Sequence, residues 1–230
     1  MLRRSALVAM FVALLGAVQA FAQASHCRDI GDEPNHQLIY ENAAVRIFQM
    51  DLAGSKSTEE FCASHGYLRV IATEGKTSDV VTGQVSYQSL WGGGQAVFVY
   101  KPQRKAIRNE TGAAFREYDI EALQPFDHNP LYDYSCGGDN LACDPEMVST
   151  HVVAASRGPF TVRSVALGTG DQLVIEEASH FVVALSAVEL TYGKDKQLRL
   201  EPGDARLLPN SEVVLKNAGN RKARFMTVDF

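Results

Sequence analysis

The stretch Val45-Arg-Ile-Phe-Gln-Met-Asp-Leu-Ala-Gly54 decides the fold, because it returns later in the chain as Val162-Arg-Ser-Val-Ala-Leu-Gly168. Each copy is a short run rich in branched and aliphatic side chains that closes on a glycine, as a strand does when it ends in a turn. Leu52 and Leu167, then Ser64-His65 and Ser179-His180, match at a constant offset of 115. Further on, Asn109, Arg116 and Ile120 match Asn217, Arg224 and Val228 at an offset of 108. The seven-residue difference falls where the first half carries the extra Trp91-Gly-Gly-Gly94 loop, read as a flexible hairpin tip. Matches in this order point to one duplicated β-unit.

The surroundings agree. Runs at 45–52, 67–72, 80–87 and 96–100 are rich in β-branched and aromatic residues and are separated by Gly, Ser, Asn and Lys clusters. The second half repeats the pattern at 160–167, 181–190, 197–200, 205–208, 212–215 and 225–230. Short strands with turns between them predict an all-β sandwich or barrel. Glu201-Pro-Gly-Asp204 is a turn with a physical basis: Pro202 presets φ and Gly203 tolerates a positive one. The units predicted are 36–123 and 158–230. Between them, 124–157 is a breaker-rich linker holding two cysteines, with a weak helix signal near 145–153.

The first 24 residues read as a secretory signal. Arg3 and Arg4 precede an uncharged apolar run from Ala6 to Ala20, and small residues follow at the spacing of a cleavage site after Ala22 or Ala24. The run is short of the ~20 residues that span a bilayer. The expected location is therefore secreted or periplasmic. Removing the signal leaves 20 basic and 27 acidic residues, a net charge of −7. An acidic chain with no basic stripe argues against nucleic acid as a partner. No later segment is long enough to cross a membrane as a helix, and a homodimer stays open. Cys27, Cys62, Cys136 and Cys143 allow three pairings. An oxidising compartment favours disulfides. Cys136 and Cys143 bracket a turn-rich loop that brings them together, which leaves Cys27 to pair with Cys62.

At these residues the sequence resembles the cupin superfamily in its two-domain, bicupin form. The segment from Val45 with the stretch Ala96–Gly112, and the segment from Val162 with Leu198–Gly219, which holds the Pro-Gly-Asp turn, occupy the two sets of motif positions, each ending in an Asn turn (Asn109-Glu-Thr-Gly112, Asn217-Ala-Gly219). The resemblance implies a duplicated cupin β-sandwich or barrel. Cupin enzymes usually hold a divalent metal on two His, an acid and a further His. Here Phe61 and Ala63 stand at the His-x-His positions, Tyr67 near the acid and Lys105 at the later His. In the second half, Glu176, Ala178, Val182 and Val213 stand there. A stable site needs three or four converging donors, so no metal and no cofactor are expected.

The second pocket reads as a filled core. The first keeps a phenol, an ammonium and nearby rings. Its candidate ligand-binding residues are His65, Tyr67, Lys105, Phe61, Trp91 and Arg104, a set suited to a small polar or anionic molecule. The leading expectation is an exported, metal-free bicupin that binds such a molecule or serves as an interaction module of the envelope. The alternatives are a metal-independent isomerase or lyase, with His65 or Lys105 moving a proton, and a metal-dependent dioxygenase with atypical ligands. Asn109 matches a glycosylation sequon but reads first as a turn residue. His26, His36, His128 and His151 lack ligand spacing and read as surface or loop residues.

Overall fold

A computed structural model describes residues 27–99, 102–124 and 151–230, except 158, 177, 195 and 210; of 151–157 it describes the backbone alone. The first half holds β1 (His36–Glu41), β2 (Val45–Leu52), β3 (Phe61–Ala63), β4 (Tyr67–Ile71), β5 (Gly75–Val81), β6 (Tyr87–Trp91), β7 (Ala96–Val99), β8 (Gln103–Asn109) and β9 (Phe115–Ala122). The second holds β10 (His151–Arg157), β11 (Phe160–Leu167), β12 (Gln172–Ile175), β13 (His180–Ala184), β14 (Val188–Tyr192), β15 (Lys196–Leu200), β16 (Ala205–Leu208), β17 (Val213–Asn217) and β18 (Ala223–Asp229).

The sheets form two matching pairs. In the first half, β1-β2-β9-β4-β7 stands against β3-β8-β5-β6; in the second, β10-β11-β18-β13-β16 stands against β12-β17-β14-β15. Strand for strand the orders correspond, so the chain is a duplicated antiparallel β-sandwich. Because β10 pairs with β11, the second unit takes in residues of the connecting segment, and 151–153 are strand rather than helix. Cys136, Cys143, His26 and His128 lie outside the described residues.

The turn chemistry is shared as well. Asn109 Nδ2 donates to the carbonyls of Leu52 and Ala113, and Asn217 Nδ2 donates to those of Leu167 and Arg221. Both asparagines are buried, so Asn109 serves the turn. Gly203 has φ of 88°, as its place in the Pro-Gly turn requires.

Two strand expectations need correction. Residues 80–87 are not one strand: β5 ends at Val81, a turn follows at Gly83 and β6 starts at Tyr87. Likewise 181–190 is broken between β13 and β14. Trp91-Gly-Gly-Gly94 is no hairpin tip, since β6 and β7 belong to different sheets and the loop crosses between them. Gly94 N–H donates to Ile71 O at the far side of that crossing.

The halves pack through their larger sheets. Val45, Ile47, Leu68, Val70, Tyr118 and Ile120 share one core with Phe160, Val162, Phe181, Val183, Met226 and Val228. Tyr118 meets Phe181 edge-on with centroids 5.1 Å apart, and its hydroxyl donates to Gly203 O at 2.9 Å. Burial pushes the Tyr118 phenol up to about 12.

Candidate functional site in the first barrel

β9 reads Phe115-Arg-Glu-Tyr-Asp-Ile-Glu-Ala122. Alternate residues of a strand face opposite ways. Tyr118, Ile120 and Ala122 therefore enter the core shared between halves, while Glu117, Asp119 and Glu121 face into the first barrel. The adjacent β4 places Tyr67 opposite Glu121, Arg69 opposite Asp119 and Ile71 opposite Glu117. From the facing sheet, β5 contributes Thr77 and Asp79, and β8 contributes Lys105. The result is a charged interior in which Arg69, Asp79, Lys105, Glu117 and Asp119 are each at most 2% exposed.

Burying charge is costly unless it is paired. Arg69 meets part of that cost. Its Nη1 donates to Asp79 Oδ2 and its Nη2 to Glu117 Oε2, each at 2.7 Å. The guanidinium also lies 5.1 Å from the Trp91 ring centre, and Trp91 Nε1 donates to Thr77 Oγ1 at 2.8 Å. Burial alone would weaken the guanidinium's hold on its proton, but Glu117 and Asp79 outweigh it and raise the pKa well above the ordinary value. Burial pushes the Glu117 carboxyl up despite the same guanidinium.

Lys105 is handled differently. Its Nζ lies 5.0 Å from the Tyr67 ring centre and 5.5 Å from that of Phe61, and 3.9 Å from Asp79 Oδ2. Lys105 Nζ, Tyr67 Oη and both Asp119 oxygens are buried and have no hydrogen-bond partner among the described residues. Burial, then Arg69, lowers the ammonium's pKa. Burial, then Asp119, raises the Tyr67 phenol well above its ordinary value.

His36 is not a surface residue. It lies inside the barrel, with Nδ1 2.6 Å from Glu33 Oε2 and Nε2 3.3 Å from Asp119 Oδ2. The second approach is within ion-pair range but lacks hydrogen-bond alignment. Burial disfavours the imidazolium, yet Asp119 and Glu33 outweigh it and raise its pKa. Burial likewise works against both carboxylates, and the His36 contacts pull both below their ordinary values.

Of the six candidates from the sequence, Phe61, Tyr67 and Lys105 meet directly. Trp91 joins through Arg69. His65 sits at the rim with its Nδ1 3.1 Å from Glu121 Oε1, and Arg46 holds the same carboxylate. Arg104 lies opposite Cys62 in the β3–β8 register, where it donates to Glu60 at 2.6 Å. Arg69, Asp79, Glu117, Asp119 and His36 are the residues that the sequence reading misses. The alternating acids of β9 are the signal that marks them.

In the second barrel the equivalent surface is mostly apolar, with Thr227, His180 and Asp229 as its buried polar residues on β13 and β18. With Asn109 matched to Asn217, the register pairs Tyr67 with His180, since they face Glu121 and Asp229 respectively. The offset in β13 is therefore 113, so His65 and His180 are not equivalent. Ile175, opposite Val213, takes the place opposite Lys105's counterpart, and Glu176 is exposed. Val165, Ile175, Val182, Val213 and Phe225 fill that interior. His180 binds Asp229 through Nδ1 at 2.9 Å and the Ser211 carbonyl through Nε2 at 3.0 Å.

The positions that hold a metal in cupins do not fit one here. Phe61 and Ala63 carry no donor, Tyr67 near the acid position brings a buried phenol, and Lys105 brings an ammonium. No three His, Cys, Asp or Glu side chains among the described residues converge as a metal would need.

No family model matches the sequence, and no curated protein matches it. Solved structures do resemble it. A variant of salicylate 1,2-dioxygenase from Pseudoaminobacter salicylatoxidans in complex with gentisate has a TM-score of 0.58 at 12% identity, covering 94% of this chain and 79% of that one. A variant of oxalate decarboxylase from Bacillus subtilis gives 0.55 at 11%, covering 81% and 68%. A cupin 2 conserved barrel domain protein from Leptotrichia buccalis gives 0.55 at 13%, covering 84% and 87%. At such identities the likeness is one of fold.

Proposed function

We propose that this chain, whose fold is the duplicated cupin barrel, is an exported protein that binds a small polar molecule inside its first barrel without a metal. The observation that carries the reading is a set of buried groups with no hydrogen-bond partner among the described residues: the Lys105 ammonium and Tyr67 hydroxyl as donors, and both Asp119 oxygens as acceptors. Leaving such groups without partners costs about 1–3 kcal/mol each, more when charged. A molecule with an acceptor for Lys105 and Tyr67 and a donor for Asp119 offsets that cost. Hydroxy acids, amino acids and sugars have both. Export is supported by the N-terminal pattern and by a disulfide between Cys27 and Cys62.

A second reading is acid–base catalysis on the same ligand. It is favoured by the run Glu33, His36, Asp119, in which His36 stands within ion-pair range of a carboxylate whose oxygens accept no hydrogen bond among the described residues. Such a carboxylate is placed to accept a proton from a bound substrate, with Tyr67 or Lys105 as donor opposite.

Thermal-shift screening with hydroxy acids, amino acids and sugars tests the binding reading. The expected result is a compound that raises the melting temperature of the wild type and leaves Lys105→Met unmoved. Equal shifts in both proteins would remove Lys105 from the site.

A further inference from the structure

The interior site is closed, since Phe61, Tyr67 and Lys105 are at most 1% exposed, and part of that closure comes from a segment outside both sheets. Residues 27–33 run along β3 as a strap. Cys27 is bonded to Cys62, Cys62 N–H donates to Arg28 O at 2.8 Å, and Asp29 makes a single parallel bridge to Cys62. The strap's one apolar anchor, Ile30, enters a cluster with Phe48, Met50 and Phe61. Its last residue, Glu33, is 1% exposed and closes on His36, whose ring meets Phe61 edge-on with centroids 4.7 Å apart. Phe61 in turn lies with its ring centre 5.5 Å from Lys105 Nζ. The strap therefore lies behind the ring that shields the ammonium.

Its attachment is thin for a sealing element. A strand is held by a ladder of backbone bonds on a neighbour, whereas this strap has one bridge, one backbone bond from Cys62 N–H, one buried aliphatic residue, the Glu33 carboxylate with its bonds to His36 and the Glu59 N–H, ion pairs from Arg28 and Asp29, and the covalent bond. Both cysteines of that bond are partly exposed, so a thiolate can reach it.

We propose that residues 27–33 form a thiol-controlled gate over the Lys105 site. A dithiol attacks the Cys27–Cys62 bond, giving a mixed disulfide that its second thiol resolves. The dithiol leaves as its own disulfide, having supplied two electrons and two protons, and Cys27 and Cys62 become free thiols. The strap then lifts with Ile30 and Glu33, Phe61 loses its backing, and the interior opens while both barrels stay folded. The gate's purpose rests on the binding reading above; its opening does not.

Pulsed acetylation of the full chain with acetic anhydride, read by peptide mass spectrometry, tests this. Lys216, exposed on β17 of the other barrel, is the internal control. The oxidised protein protects Lys105. Reduction with dithiothreitol, or the Cys27→Ser/Cys62→Ser variant, which leaves Cys136 and Cys143 untouched, raises Lys105 acetylation at least tenfold. The rate at Lys216 does not change, and reoxidation of the wild type restores protection. Equal protection of Lys105 in all forms overturns the gate. So does loss of the whole β circular-dichroism signal on reduction, because opening would then be unfolding. If Lys105 opens and no hydroxy acid, amino acid or sugar binds either form, the gate stands and the binding reading falls. If Lys105 stays protected in all forms and one of those compounds binds oxidised and reduced protein alike, the binding reading stands and the gate falls.

Discussion

Lys105 Nζ stops 3.9 Å from Asp79 Oδ2, the same oxygen that Arg69 Nη1 holds at 2.7 Å. The nearest carboxylate to the ammonium is already neutralised by another cation. Lys105 is thus a buried charge with no hydrogen-bonded counterion among the described residues. Replacing it with Met, which keeps an unbranched stem between Phe61 and Tyr67, is expected to leave stability unchanged or raise it by about 1–2 kcal/mol. Urea unfolding measures this, and the same variant loses ligand binding. A loss of several kcal/mol would show that the ammonium is structural.

Arg69 is the opposite case. Arg69→Met leaves Asp79 and Glu117 buried without their cation, at an expected cost of about 3–5 kcal/mol. Equilibrium denaturation compares it with Lys105→Met. The two substitutions remove the same charge from the same interior, so opposite signs would trace the effect to pairing rather than to net charge.

His36 sets a pH dependence. Its pKa is raised in the folded chain by Asp119 and Glu33 against the effect of burial. A raised pKa contributes stability fully below the ordinary value of about 6.5 and loses it as pH rises through the folded value. Glu33 and Asp119 are lowered, so their share is present above the ordinary carboxylate range and is lost as pH falls. The stability gap between wild type and His36→Gln is therefore largest between about pH 5 and 6.5, at about 1–3 kcal/mol. It narrows on the alkaline side. A gap that grows with pH would contradict an imidazolium.

The Cys27–Cys62 bond closes a loop across a sequence separation of 35. Its removal in Cys27→Ser/Cys62→Ser is expected to cost about 2–4 kcal/mol through the unfolded chain, without change in β content. Chemical denaturation under non-reducing conditions reads the difference.

Across the seam between halves, Tyr118→Phe deletes one hydrogen bond to Gly203 O and keeps the ring against Phe181. About 1 kcal/mol should be lost, with a single unfolding transition retained, because both halves share one core.

The fold was legible because turns and strand ends carry their own chemistry. Asn109, Asn217, Pro202 and Gly203 act locally, and the structure uses each as its sequence context implies. The Cys27–Cys62 pairing was legible by elimination, from the turn-rich loop that sets Cys136 beside Cys143 in the sequence. The interior was only half legible, because motif positions lead to Phe61, Tyr67 and Lys105 but say nothing about Arg69 or Asp79, whose partners lie on other strands. His36 looked isolated in sequence because Asp119, one of its partners, is contributed by β9. The repeat misled in two places. The Trp91–Gly94 loop is not extra, because Leu200–Gly203 matches its length, and four of the extra residues lie in the turn between Asp79 and Tyr87, whose counterpart joins Tyr192 to Lys196. Two extra residues between Leu52 and Tyr67, relative to Leu167 and His180, shift the register, and a matched Ser-His pair concealed the slip.

β9 also constrains how this chain can change. Its even positions join the halves and its odd positions supply the carboxylates, so one inserted or deleted residue would exchange the two sets. Glu117, Asp119 and Glu121 would then be driven into the seam against Phe181 and Met226. Point substitutions on either face are separable events, but a change of length within 115–122 strikes assembly and chemistry together. Heritable variation in this molecule should therefore come as altered side chains on β9, and as altered lengths only in the turns on either side of it.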